Sequence, residues 1–426
     1  MAEGDQSTSR HFATGGMLAP LAYPAFRSIW FANMAANLGF SLQGIGAAWL
    51  MTSLTPSHQM LALIQASATI PIMLLGVFAG AIADNYERRS VMLISQIAML
   101  VASAVLVVLT WLGWITPWLL LLLTLLLGCG IALNSPAWQA SVREQVGIRD
   151  LPQAISLNTI AFNLARTVGP ALGGVIIALW SVTAAFAVNA ICRPAMIVAI
   201  WRWRPETPPP EKHPMLPAIA AGMRFCAASS PVRRVLLRGL ALGFGIAGYH
   251  ALLPAVVRHQ LNGNETEFGA ILALFGLGSI LAALVIGPAR RRWGTERVLM
   301  VATGGFIAAQ IGLAHVTTIA QALPATLIAG AAWVSALTTV NVAMQLRSPN
   351  AILGRCMSIY QTVTFGGMAL GSWVWGLLAD WRGLPFALQT AALFLAVSLL
   401  ILRLFAPMPG RDEGRIDADT GEAAPM

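Results

Sequence analysis

The chain has 426 residues, 57% of them hydrophobic and only 10% charged, with a mean hydropathy of +0.72. A water-soluble globule carries about a quarter of its residues as charged side chains, so this composition excludes one and requires an integral membrane protein. The formal charge of +9 does not point to nucleic acid, because the basic residues stand at the ends of apolar runs, where membrane topology accounts for them.

Met1 to Gly16 is polar and lacks the apolar core of a signal peptide, so the first span is expected to stay as an uncleaved helix. Each span needs about 20 apolar residues to cross about 30 Å of hydrocarbon. In the first half the runs give Ile29 to Met51, Gln59 to Ala83, Val91 to Leu112, Trp118 to Gln139, Ile155 to Leu179 and Ala184 to Trp203. The second half gives Leu236 to Val257, Phe268 to Pro288, Val298 to His315, Ala320 to Leu346, Met357 to Ala379 and Leu384 to Phe405. With both termini in the cytoplasm, 22 of the 26 Lys and Arg residues lie inside, Arg258 and Arg382 lie outside, and Arg166 and Arg193 lie within spans. This bias sets the expected orientation.

The expected fold is an all-α membrane protein with twelve transmembrane helices in two six-helix pseudo-symmetric bundles. Residues 1–25 form a cytoplasmic segment, 26–203 and 235–406 the two bundles, and 204–234 a linker. In the linker, Arg204 to Pro217 is rich in proline and reads as an extended connector. Ala218 to Arg234 fits either a helix on the membrane surface or a plain loop. The tail, 407–426, is acidic and Gly-rich and is expected to be disordered. An offset of 202 aligns Leu151, Ser156, Gly169 and Gly174 with Leu353, Ser358, Gly371 and Gly376, which suggests an internal repeat.

Between the second and third spans runs GAIADNYERR, Gly80 to Arg89. Gly80 and Ala83 let two helix ends approach, and Asp84 can accept from backbone N–H groups or from an Arg. A latch built from Gly80, Asp84, Arg88 and Arg89 is one reading; topology charges plus a helix cap is the other. In the fifth span, Asn163, Arg166, Gly169, Pro170 and Gly173 share one helical face, with Gly174 beside them. Glycines permit close helix contact and Pro170 bends the helix, so the run suits either a moving seam or static packing.

Arg166 and Arg193 lie near the bilayer midplane, where a charge costs at least about 2.5 to 3.5 kcal/mol on insertion scales and must face protein or a watery cavity. Arg166 fits an electropositive site for an anionic or phenolic substrate as well as a structural pin bonded to helix carbonyls; for Arg193 the pin is preferred. Asn33, Asn37, Asn341, Tyr249 and His250 complete the candidate cavity, although each intramembrane polar group also fits a simple interhelical hydrogen bond. No Asp or Glu lies in mid-span, so proton coupling lacks an obvious carrier. The four cysteines form no CxxC pair, and phosphate-loop, HExxH and GxSxG motifs are absent. No metal, cofactor or enzyme activity is expected.

Together these runs resemble the major facilitator superfamily from about Phe26 to Ala406. GAIADNYERR looks like its signature loop after the second helix, with Asn85 where Arg is usual and Glu87 where Gly is. GPALGG resembles the antiporter motif of exporters, with Ala165 replacing its leading glycine. NSPAWQASVREQV, LPQAISLNTIAFNLARTVGPALGG and LGRCMSIYQTVTFGGMALGSWVWGLLAD are similar to the branch that holds the enterobactin exporter and macrolide efflux permeases. In that branch Arg166 fits the pattern before GP, whereas Arg193 stands where an apolar residue is usual. Thr124 sits where many proton antiporters have Arg, and GPARRRWGTER lacks the loop Asp. Proton coupling is thus implied by the resemblance and not by the residues.

The expectation is an inner-membrane, multi-pass secondary exporter of a small molecule, siderophore-like or drug, working by alternating access as a monomer. Its partners are the solute, the lipid bilayer and protons, with no nucleic acid. An importer or uniporter, a lipid flippase, and a non-transporting sensor or scaffold are the alternatives.

Overall fold

A computed structural model of the chain describes residues 17–205, 215–349, 352–410 and 413. The first six long helices are α1 (Pro24–Leu54), α2 (His58–Asn85), α3 (Arg88–Trp111), α4 (Pro117–Gln145), α5 (Leu151–Leu179) and α6 (Val182–Arg202). A shorter α7 (Met215–Ala228) precedes α8 (Ser230–Ala255), α9 (Glu265–Trp293), α10 (Thr295–His315), α11 (Ile319–Gln345), α12 (Leu353–Arg382) and α13 (Leu384–Phe405). Among the described residues, ten helices are long and apolar enough to cross a membrane. The other two long helices, α1 and α5, run 31 and 29 residues.

Local chemistry explains where these helices begin. Ser57, Thr116 and Ser181 each accept a backbone N–H at the start of α2, α4 and α6, which satisfies donors that the helix leaves unpaired. Asn264 and Glu267 form a reciprocal capping box on α9. Gly294 and Gly383, at φ of 81° and 89°, make the sharp joints into α10 and α13, a backbone region that favours glycine.

The helices pair in the same way twice. In the first bundle α2 packs on α4, α1 on α5 and α6, and α3 on α4 and α6; in the second, α9 packs on α11, α8 on α12 and α13, and α10 on α11 and α13. Each pair in one set maps onto its counterpart seven labels later, so the two bundles are structural repeats. Helix α1 starts and helix α13 ends on one face of the molecule, called here the termini face; the 54–58, 111–117, 255–265 and 315–319 connections lie on the opposite face.

Two linker and tail expectations change. Helix α7 ends at Ala228, and Arg233 and Arg234 belong to α8, which starts early because Pro231 suits its first turn. Past Pro407 the first tail residues are held rather than loose: Arg347 donates to the Pro409 and Gly410 carbonyls at 3.1 and 2.5 Å, and the Met408 N–H donates to Glu296 at 2.7 Å. On the same face, Tyr23 donates to Asp150 at 3.0 Å, and this carboxylate acceptor raises the phenol above its ordinary value.

Close glycine contacts hold each bundle together. A Cβ on Gly371 of α12 would lie 2.2 Å from the Phe244 carbonyl oxygen of α8, whereas around Gly354 nothing lies within 4 Å. Gly371→Val should therefore cost about 1 to 3 kcal/mol and lower the melting temperature of the detergent-solubilised protein, while Gly354→Ala should leave it unchanged.

Candidate functional site

Two symmetry-related seams join the bundles, α5 against α9 and α12 against α2. At the first, a Cβ on Gly174 would lie 2.3 Å from the Gly269 Cα; at the second, a Cβ on Gly376 would lie 2.5 Å from the Ala62 Cβ and 3.0 Å from the Gln59 Cα. Backbone thus meets the other bundle at van der Waals distance on both sides, a surface that two rigid bodies can roll across. The aligned glycines do equivalent work: Gly169 faces Ser41 of α1 and Gly371 faces α8, both inside their own bundles, while Gly174 and Gly376 face across. Gly173 packs on Leu42 and Ile45 of α1. Pro170 is half-buried on the same helix.

A seal spans the seam at the face opposite the termini. Asp380, near the end of α12, reaches the start of α2 in the other bundle and accepts from Ser57 Oγ at 2.8 Å, His58 N at 2.6 Å and Gln59 N at 3.1 Å. His58 Nδ1 lies 3.0 Å from its Oδ1. Beside it, Trp49 of α1 stacks on Phe268 of α9 at 4.6 Å and donates from Nε1 to Glu265 at 3.2 Å. Arg258 sits over the Trp49 ring at 5.3 Å and pairs with Glu265 at 3.5 Å. The His58 and His259 rings meet edge to face at 5.6 Å.

The signature loop lies at the other end of the same seam. Gly80 faces Ser358 of α12, at 3.8 Å from a built Cβ. Arg88 and Arg89, however, engage their own bundle: Arg88 pairs with Glu144 of α4, and Arg89 donates to the Ile200 and Trp201 carbonyls of α6. The Asp84 side chain lies outside the described residues. Arg88 and Arg89 therefore brace α3 on α4 and α6, and Gly80 meets the second bundle.

The cavity candidates separate into two groups. Asn33, Asn37 and Asn341 are half-buried; Asn37 donates to the Asn33 carbonyl at 2.9 Å, and Asn341 accepts from Gln345 at 2.7 Å. Tyr249 and His250 do not join them. Tyr249 is fully buried, and with His250, Phe275, Phe306 and Trp333 it builds an aromatic cluster inside the second bundle, His250 lying 4.4 Å from Trp333. Adjacent polar residues on one helix do not reveal which face looks inward, and here the rings are packing. The side chain of Arg166 lies outside the described residues, as does that of Asn163. Arg193 is buried in the first bundle, bonded to Gln96 at 3.0 Å.

Sequence reading missed the seal. Asp380 was visible only as a helix-end carboxylate, and the signal for its partner was the Ser-His-Gln start of α2, whose free N–H groups attract an anion.

Two repeated bundles meeting along glycine seams, closed at one face by separable polar contacts, are the architecture of a major facilitator transporter rather than an enzyme. The family described as transmembrane secretion effector matches residues 15–421, and the chain belongs to it. Curated relatives include the enterobactin exporter EntS of Shigella boydii, 26% identical over 91% of this chain and 94% of that protein. The staphyloferrin A transporter of Staphylococcus aureus is 25% identical over 82% and 87%. The multidrug efflux pump Tap of Mycolicibacterium fortuitum is 25% identical over 88% and 93%. Among solved structures, an inward-facing, occupied bacterial homologue of the human lysosomal transporter Spinster superposes with a TM-score of 0.71 at 13% identity, over 94% of this chain and 99% of that one. The human organic anion transporter MFSD10 gives 0.63 at 16%, over 89% and 98%.

Removing the Asp380 charge tests the seal. Asp380→Asn forfeits about 1.5 to 3 kcal/mol of charge-assisted bonding, enough to raise the open population at that face by roughly tenfold or more. Thr52, buried at the seal, reports it: in a cysteine-free background, Thr52→Cys should react with a polar maleimide about tenfold faster when Asp380 is Asn.

Proposed function

We propose that the protein is a secondary active exporter of a small molecule, siderophore-like or drug, that works by alternating access across the cytoplasmic membrane. The observation that carries this reading is the seal: its contacts between bundles are hydrogen bonds and ring stacking at one face, which can part without unfolding either bundle. The excess of basic residues supports a cytoplasmic position for the termini face, and in that orientation the described conformation is closed to the outside. Export is favoured because two of the relatives are named as an exporter and an efflux pump.

In this reading the expected moving seam of Gly169, Pro170, Gly173 and Gly174 divides its work. Gly174 rolls on Gly269 of the other bundle, Gly169 and Gly173 hold α5 to α1 so that the helix moves with its bundle, and Pro170 bends that helix. Gly80, Asp84, Arg88 and Arg89 form the element that closes the cytoplasmic side in the other state. Asn33, Asn37, Arg166 and Asn341 face the solute, with Tyr249 and His250 stiffening the wall behind it. Coupling to protons would draw on the titratable groups of the seal, His58, His259 and Asp380, since the spans hold no central carboxylate. The protein acts as a monomer, each copy holding both seams and the seal.

Mass spectrometry of culture medium and cell extract from a deletion strain should find one solute retained inside and lost from the medium. Everted vesicles should take up that solute, and Arg166→Ala should lower the rate by roughly tenfold, the equivalent of about 1.4 kcal/mol, with Asp84→Asn also slowing turnover. Net uptake by intact cells would favour an importer, redistribution of labelled lipid in liposomes a flippase, and unchanged transport by both variants would remove their assigned roles.

A further inference from the structure

The first bundle contains a cation that neither the seam nor the seal uses. Arg193, near the middle of α6, is 2% exposed. Its Nη1 donates to Gln96 Oε1 of α3 at 3.0 Å and lies 3.3 Å from Met99 Sδ, while Nε and Nη2 have no partner. Among the described residues it forms no ion pair. Asn189, one turn earlier on α6, is also buried and donates to Ser103 at 3.0 Å and to Gln43. The inward face of α6 is therefore polar, although this helix packs behind α1 and α3.

The contacts of Arg193 have a direction. A guanidinium only donates, so Gln96 must turn its oxygen to Arg193 and its amide nitrogen away. That nitrogen donates to Asn134 Oδ1 of α4 at 3.3 Å, which forces Asn134 in turn to point its own Nδ2 onward. Among the described residues no acceptor meets that nitrogen, and Asn134 is half-buried where Gln96 is 2% exposed. The amide assignment, ordinarily ambiguous, is fixed by the cation at the far end. The chain thus starts at an uncompensated buried positive charge and ends on an open donor, each bond polarising the next.

We propose that Asn134 is a binding residue for an acidic solute, whose anionic oxygen accepts from Nδ2, and that Arg193 is the positioning residue that orients this donor and supplies the missing countercharge. The inference rests on the reading that solute moves between the bundles, and it narrows the substrate class to anions. An Arg193 whose charge is screened from position 134 would bridge α3 and α6 equally well while giving that position no preference for anions.

Charged thiol reagents separate these cases without any transport. In a cysteine-free background carrying Asn134→Cys, the negative sulfonatoethyl methanethiosulfonate should react roughly tenfold faster than its positive trimethylammonium analogue, as a unit charge some 10 Å away in a partly watery site implies. Arg193→Gln should bring the ratio towards one, and Arg193→Lys should keep most of it. No reaction with either reagent, or a ratio near one with Arg193 intact, would overturn the proposal, as would a ratio that Arg193→Gln leaves unchanged. Should Arg193→Gln fail to fold, the ratio in the Arg193 protein and in Arg193→Lys still decides. Because the readout needs no solute movement, a protein that transports nothing can still pass, and a working exporter can still fail.

Discussion

The carboxylate of Asp380 finishes a helix that belongs to the other bundle. An α-helix begins with unpaired N–H groups and a partial positive charge, and an anion placed there is favoured by both. At α2 that anion comes from α12, so His58 N and Gln59 N are satisfied only while the bundles touch at this face. Ser57 serves both arrangements, because its hydroxyl accepts from Met60 N within its own helix and donates to Asp380 across the seam. When the bundles part, water can replace each of these partners, which makes the contact strong enough to hold and weak enough to release.

Glycine contacts around this cap decide what moves with what. In lipid there is no hydrophobic gain from bringing helices together, so approach depends on small residues and on van der Waals contact. Gly169 and Gly371 hold α5 to α1 and α12 to α8, fixing each bundle as a body. Gly174 and Gly376, one and a half turns further along, leave the same helices smooth where they face the other bundle. Arg88 and Arg89 act with the first pair, tying the loop after α2 into α4 and α6, so that a tilt of the first bundle carries the loop with it.

Much of this was legible in the sequence because it is local or periodic. Apolar runs gave the spans and the 202-residue offset exposed the repeat, whereas Gly169 and Gly173 on the glycine face of the fifth span meet α1 in their own bundle, and Gly174 beside that face meets Gly269 across the seam. The seal was not legible, since Asp380 and His58 are 322 positions apart and no pattern joins them. Tyr249 and His250 were placed in the cavity because polar groups in a span invite that reading; packing against Phe275, Phe306 and Trp333 turns them inward. Helix α8 also starts before its apolar run, because arginines in its first turns remain at the membrane surface.

Paired spin labels test the central claim, that one rigid tilt opens one face as it closes the other. One pair would join residues 53 and 321 across the sealed face, the other residues 143 and 297 across the termini face, with distances read by electron–electron double resonance in nanodiscs. Two populations are predicted at each face, with Asp380→Asn lengthening the first distance and shortening the second in the same proportion of molecules. Distances that change at one face alone, or that stay single and fixed at both, would contradict the account.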